Sequence, residues 1–538
     1  MNFFHVSIGG GITGIETVIS IINQIKKNLK KKHTKKITLA IIEKNPENIP
    51  GGIAYGFERS KFGYFNNPLR LSPIKFKNWI LKTNNKKKLI KYLNEFGGYS
   101  GKQWIKKNIK IFSSKSNKKH NELYVPRVMM NFWMMERFYS AMNEINNIYK
   151  MKKILIDIKF FKGEVCSLKK KKNFYQIKFK NKFCYELKYN RNYTNSNSVS
   201  FGKSIFFKEK LFAKNLNIGL GLPPPKQIAT NAAIQNKNYI WDFYDEGSTN
   251  YLIQKILNLS KFKRKIIIYF IGYKAGLLEA LPELLNLIIN KKLNVKIICS
   301  SGKLQSIQKA ELTISKKKYK TKFFKKILLS NINTAEKLYK SILSEFNFAK
   351  KNGYNNYDAW TYILKNDILF EVIKKFNKAQ KIIYDSHFHE KIRSITRFTY
   401  PETIRSREIM LKKKILLAKK EEVKKVDLKN KNLLVITKNE KNILNKYKCD
   451  LVVNVSGPLN AEKIKTEVPL VNDLKKIGAK VMSGNFVVNN YFEIKELRNI
   501  YLPGILARGF NPERKTIISA ILKNSNTVAN QIYKKYLK

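Results

Sequence analysis

The chain has 538 residues, 43% of them apolar, enough for two or three domains with sizeable cores, and its 106 Lys and Arg against 38 Asp and Glu give a net charge of +68. Only 13 of the basic residues are Arg and the lysines run through the whole length, whereas nucleic-acid readers lean on Arg for bidentate contacts, so no specific nucleic-acid partner is expected. No run approaches about 18 apolar residues, which argues against a membrane-spanning helix, and the four cysteines form no CxxC and no metal-like cluster, which argues against a disulfide framework and fits the reducing cytoplasm.

The first element is a short apolar strand with Phe3, Val6 and Ile8, followed at once by Gly9-Gly-Gly11-Ile-Thr-Gly14. Ile12, Ile15, Val18, Ile19 and Ile22 then recur at helical spacing. Residues 37–43 read as a second buried strand that ends in Glu43. Strand, GxGxxG turn, helix, strand and acid in this order are the signature of a dinucleotide site. Gly9 permits the tight turn, Gly11 lets phosphates approach the backbone, and Gly14 lets the helix lie on the strand. Glu43 stands where a carboxylate accepts hydrogen bonds from a ribose. It follows Gly14 by 29 residues, more than the usual ~20, and the polar stretch from Lys26 to Lys36 absorbs the difference.

Residues 50–80 are loop-rich and aromatic, and 118–150 are expected to be helical after Pro126. Residues 158–218 alternate like a β-meander, and Leu216 to Leu222 reads as a buried strand stopped by Pro223, Pro224 and Pro225. A second strand, Ile266 to Ile271, runs into Gly272-Tyr-Lys-Ala-Gly276 and a helix from Leu277, with Val295 to Cys299 as the next strand. This is a degraded second dinucleotide turn. Lys274 replaces the middle glycine, and a side chain there crowds the pyrophosphate path, so a Rossmann-like domain without a ligand stands beside a working site. Residues 305–415 read as amphipathic, lysine-rich helices. Leu433 to Ile436 and Leu451 to Val455 are expected strands, the latter entering Ser456-Gly457-Pro458. From Gly504 the chain is expected to form a strand, the loop Arg508-Gly509-Phe-Asn-Pro and a long helix opening near Thr516. His387 and His389 sit two apart, on different sides of a helix, so no metal site is expected.

Three stretches carry a resemblance. They are Pro50-Gly51-Gly52-Ile-Ala-Tyr-Gly56 followed by Asn66, Leu71-Ser72, Phe76 and Trp79; Tyr124-Val-Pro-Arg127; and Asp450 to Gly457. Together with the first glycine turn they resemble the FAD/NAD(P)-binding family of the two-dinucleotide-binding flavoproteins, of flavin-monooxygenase type. The resemblance implies an α/β fold. An FAD-binding Rossmann-like domain (1–260 and 431–538) would hold an inserted NAD(P)-like and helical, Lys-rich domain (261–430). It implies FAD as cofactor and NAD(P)H as a possible second one. It places Gly51, Gly52, Asn66 and Ser72 beside the flavin, Gly457 at the turn closing the FAD domain, and Gly509 before a helix whose positive end faces the ring. Arg127 would neutralise a phosphate or orient a substrate acid, or simply cap a helix. Phe76 and Trp79 read as core. The family tends to have Gly at Lys274 and Arg where this chain has Ser300-Ser301-Gly302, which weakens the case for NADPH.

The function implied is an FAD-dependent, monooxygenase-like oxidoreductase of the cytoplasm that uses NAD(P)H and acts on a small molecule. No side-chain base or nucleophile stands out, and flavin chemistry does not demand one. Two other classes stay open: an FAD-binding protein with a decayed nicotinamide site in a structural or partner role, and a basic binder of nucleic acid or membrane surfaces.

Overall fold

The computed structural model describes residues 1–28, 36–57, 62–114, 120–185, 187–189, 199–201, 205–206, 210–245, 247–273, 275–302, 307–313, 318–507 and 517–537. Two lobes share the chain, each built on a largely parallel sheet with a core on both faces.

The first lobe begins with β1 (Asn2–Ile8), α1 (Ile12–Asn28) and β2 (Lys36–Glu43). After the helix α2 (Gly98–Ser113) and the long α3 (Val128–Lys152) come β3 (Leu155–Lys171) and β4 (Phe174–Tyr185), then β5 (Ile205–Phe206) and β6 (Leu211–Ile218). The expected strand at Leu216 to Leu222 thus starts and ends earlier, because Gly219 already turns between Ile8 at the end of β1, to which its N–H donates, and Thr13 in the first turn of α1.

The second lobe contributes β7 (Tyr239–Ile240), β8 (Ile266–Ile271), α4 (Ala275–Asn290), β9 (Val295–Ser300) and β10 (Leu416–Lys419). A three-stranded antiparallel sheet follows, β11 (Glu421–Lys429), β12 (Asn432–Asn439) and β13 (Leu444–Cys449), and then β14 (Leu451–Asn454). The chain returns to the first lobe for β15 (Ile500–Tyr501) and the last helix, α5 (Ile517–Tyr536). The strand expected from Gly504 lies instead at β15, just before it.

The first sheet runs β15-β6-β1-β2-β3-β4-β5, with β15, β6, β1, β2 and β3 parallel. Helices α1, α3 and α5 cover one face, and residues 461–474 with the β3–β4 hairpin cover the other. The second sheet runs β10-β9-β8-β14-β7, all parallel. It therefore takes β7 and β14 from outside the expected 261–430 span. The reason is non-local pairing: Leu451 to Asn454 lie in register with Ile268 to Ile271. The chain crosses between lobes twice, at residues 223–226 and 456–459, and the crossings touch. Pro225 and Pro458 form an antiparallel bridge, and Leu459 N–H donates to the Pro224 carbonyl at 3.0 Å. Between β9 and β10 the lysine-rich stretch folds as helices around a core of its own, including Leu338, Ile342, Phe346, Ile363 and Leu369. No helix among the described residues is long and apolar enough to cross a membrane.

On β1, His5 is fully buried and stands in register with Asn215 of β6. Burial lowers its pKa from 6.5 to about 3, so the folded ring stays neutral while the unfolded one takes a proton. The unfolded state binds the extra proton, so stability falls as pH drops from about 6.5 towards 3, by up to ~1.4 kcal/mol per pH unit from this one group. His5→Leu is expected to flatten the stability–pH slope between about pH 4 and 6 by that amount, measured as the urea midpoint at successive pH values.

Candidate functional site

The first glycine turn is seated at the carboxyl ends of β1, β2 and β6. Gly9 N–H donates to Ile42 O and Gly219 N–H to Ile8 O, both at 2.8 Å. Backbone meets backbone here with no room for a side chain. A Cβ on Gly9 (φ +96°) would lie 2.3 Å from Gly219 O, and one on Gly14 would lie 2.0 Å from Gly9 O. A Cβ on Gly11 would lie 3.2 Å from the Cα of Gly52, so the second Gly-rich run arches over the first. The turn opens α1, whose first N–H groups have no partner within the helix and face outward. That arrangement suits a pyrophosphate.

Glu43 ends β2 and is aimed into the turn. Its Oε2 accepts from Gly10 N–H at 2.6 Å and its Oε1 from Asn45 N–H at 3.0 Å. Burial pushes its pKa up, and the hydrogen bonds from Asn45 and Gly10 oppose that. Each carboxylate oxygen keeps a further lone pair for a ribose hydroxyl.

Gly51 and Gly52 lie against α3. A Cβ on Gly51 would come 2.6 Å from Oδ1 of Asn131, and that buried oxygen has no hydrogen-bond partner. A glycine arch without side chains, an orphaned amide oxygen behind it and a carboxylate beside it fit a dinucleotide with hydroxyl groups. Phe76 and Trp79 are buried core, as expected. Ser72 lies at the end of the turn Leu69–Leu71.

The expected role of Arg127 on a phosphate is not the one the structure arranges. Its guanidinium pairs with Glu279 of α4, and its Nε–H donates to Tyr64 O at 2.9 Å. The pair joins the two lobes and is mostly shielded, its side chains 16% and 14% exposed. Glu279 raises the Arg127 pKa, and burial raises that of Glu279. One turn along α4, Glu283 accepts from the N–H groups of Tyr99 and Ser100 at the start of α2, at 3.2 and 2.7 Å. Asn66 also faces the second lobe, accepting from the Thr399 hydroxyl at 2.9 Å. Tyr64 stacks on Tyr400 with ring centroids 4.6 Å apart, and the Tyr124 hydroxyl donates to the Ala310 carbonyl. The lobes thus meet in an aromatic, hydrogen-bonded crevice.

The second turn keeps part of its pattern. Gly272 has φ +111° and packs on Val455 and Ser456, where a Cβ would lie 2.8 Å from Val455 O. Gly276, inside α4, faces Val455 and the Tyr244 hydroxyl. Gly457 (φ +97°) lies in the crossing that follows β14, and the strand it ends belongs to the second sheet rather than the first. Lys274 and Gly509 lie outside the described residues. After β9, Gly302 sits beside Glu422, which pairs with Lys424 at 2.6 Å.

Asn131, Tyr64, Glu279, Thr399 and Tyr400 escaped the sequence reading. For Glu279 a signal existed: it and Glu283 stand four apart in an otherwise apolar helix, and buried carboxylates there need partners. Nothing local marks the other four.

No family model matches the sequence, and no curated protein matches it. Solved structures do. The cadaverine monooxygenase of Erwinia amylovora, solved with FAD bound, superposes with a TM-score of 0.50 over 100% of this chain and 96% of its own at 10% identity. The ornithine N-hydroxylase of Kutzneria sp. 744 gives 0.50 over 99% and 100% at 11% identity. The ornithine hydroxylase of Pseudomonas aeruginosa gives 0.50 over 99% of each chain at 8% identity. The chain shares the fold of these three structures. The α/β reading, with a second Rossmann-like lobe inserted in the first, stands on this match and on the strand order.

Proposed function

We propose that the chain is an FAD-dependent, monooxygenase-like oxidoreductase that takes reducing equivalents from NAD(P)H and acts on a small molecule. The observation that carries this reading is the first glycine turn: three side-chain-free positions against backbone, with Glu43 at its edge. FAD, when bound, would supply the redox chemistry, and the chain's own residues bind, orient and enclose. Gly9, Gly11 and Gly14 would admit the pyrophosphate to the start of α1. Glu43 would hold the adenosine ribose. Gly51, Gly52 and Asn131 would line the path from the pyrophosphate towards the crevice. There Tyr64, Asn66 and Tyr400 would exclude water and present the substrate. Gly272, Gly276 and Gly457 would receive the nicotinamide nucleotide on the facing lobe.

Purified chain is expected to carry, or take up on reconstitution, one FAD with a visible flavin spectrum. Glu43→Gln keeps one carbonyl acceptor and loses the charge, and it is expected to weaken FAD binding about tenfold, or ~1.4 kcal/mol. Protein that stays colourless with added FAD overturns the proposal. Anaerobic mixing with NADH or NADPH then tests the second lobe: bleaching of the flavin supports a reductase half-reaction, and no bleaching refutes it.

A further inference from the structure

The crevice between the lobes contains a cavity lined by Phe62, Tyr64, Asn66, Glu279, Thr399 and Tyr400, among others. It is small, about 10 Å³, which is room for one water-sized group. Such a space seats the functional group of a substrate rather than the whole molecule.

Two features define the chemistry of that group. The first is an unmatched donor. Tyr64 is 5% exposed, and its buried hydroxyl has no hydrogen-bond partner. Burial holds its pKa well above the usual range, so the phenol keeps its proton and can donate it. Asn66 adds a second donor: its carbonyl oxygen is taken by Thr399, which leaves its amide N–H groups to offer. The Thr403 hydroxyl is turned away, donating to the Tyr400 carbonyl at 2.6 Å.

The second feature is that, among the described residues, the charges around the cavity already stand in ion pairs or hydrogen bonds. Arg127 pairs with Glu279, the N–H groups of Tyr99 and Ser100 hold Glu283, and Lys107 and Arg405 pair with Glu402. A cation entering would have to take a carboxylate from its partner. An anion would enter beside Glu279, with no unpaired positive group among the described residues that line the cavity. Either would lose its hydration without repayment.

We propose that this cavity seats an uncharged acceptor oxygen of the substrate, a carbonyl or hydroxyl oxygen, with Tyr64 and Asn66 as its donors. The inference rests on the crevice being the reaction site of the proposed oxidoreductase. It sets this chain apart in substrate class from the cadaverine and ornithine enzymes whose fold it shares.

The test uses three probes on one ring: cyclohexanone, protonated cyclohexylamine and cyclohexanecarboxylate. They are titrated at neutral pH into the full chain by calorimetry or saturation-transfer NMR, with and without FAD. The ketone is expected to bind about tenfold tighter than either charged probe, and Tyr64→Phe to weaken it about tenfold while leaving the charged probes unchanged. Because Tyr64→Phe removes an unpartnered hydroxyl, the ligand-free variant is expected to melt no lower than the wild type. Equal or tighter binding of the amine or the acid, no ketone binding at millimolar concentration (a cavity that holds water only), or indifference to Tyr64→Phe overturns the inference. Flavin uptake is read on the same samples. A chain that takes up no flavin yet selects the ketone through Tyr64 refutes the proposed function and leaves the cavity assignment standing.

Discussion

Gly14→Ala is expected to abolish FAD uptake and to cost the chain about 3 kcal/mol or more of stability. The new methyl carbon would lie 2.0 Å from the carbonyl oxygen of Gly9, and that atom is backbone held by the turn. Gly9 cannot yield, because its own vacant Cβ position is 2.3 Å from Gly219 O at the end of β6. To make room, α1 must lift from the sheet. It carries Ile15, Val18, Ile19 and Ile22 out of the core they share with α3 and α5, and it moves the helix end on which the pyrophosphate would rest. Gly504→Ala is the control, since nothing lies within 4 Å of its Cβ position. Urea midpoints and an FAD titration of both variants decide the matter. A Gly14→Ala protein as stable as the control that still binds flavin would show that the turn is not built as described.

Arg127→Met should be as damaging for a different reason. It leaves Glu279, 14% exposed between the lobes, without its counter-charge, a change expected to cost about 3 kcal/mol. The loss should depend on pH. Burial already pushes the Glu279 pKa up, and Arg127 opposes it, so removing the Arg raises it further. The folded variant then holds a proton that the unfolded chain releases above its ordinary carboxyl pKa of 4.5. Stability therefore falls as pH rises from there towards the raised folded value, and the deficit is smaller at about pH 5 than at pH 8. Arg127→Met combined with Glu279→Met should recover most of the loss, because neither charge is then left alone. Denaturant melts at the two pH values, on wild type, single and double variants, give the answer. A single variant that loses under about 1 kcal/mol would mean that water reaches the pair.

What the sequence disclosed depended on distance along the chain. The turn from Gly9 to Gly14 and its helix were legible because strand, glycines and apolar spacing are contiguous. Glu43 was legible because a parallel neighbour strand must end near the turn. The strand leading to Gly457 was assigned to the wrong sheet for a physical reason. Leu451, Val452 and Val453 are all apolar, and such a strand suits the middle of either sheet. Only its register with Ile268 to Ile271 decides between them. Arg127 was flagged at a helix start, but its partner lies on α4, and no spacing rule connects them. The stack of Tyr64 on Tyr400 depends on how the helical insertion folds back, and nothing beside either ring announces it.

The paired crossings at Pro225 and Pro458 give the architecture a modular character. The second lobe leaves the first and rejoins it at the same point, so excising it would leave two chain ends that abut. A short linker from Leu222 to Asn460 could close that gap without stretching either neighbour, because Leu459 already bonds back to Pro224. The first lobe keeps both faces of its own sheet covered by segments that lie before and after the cut. The second lobe is thus detachable in its chain topology, and the first lobe beneath it is a chassis onto which other domains could be grafted.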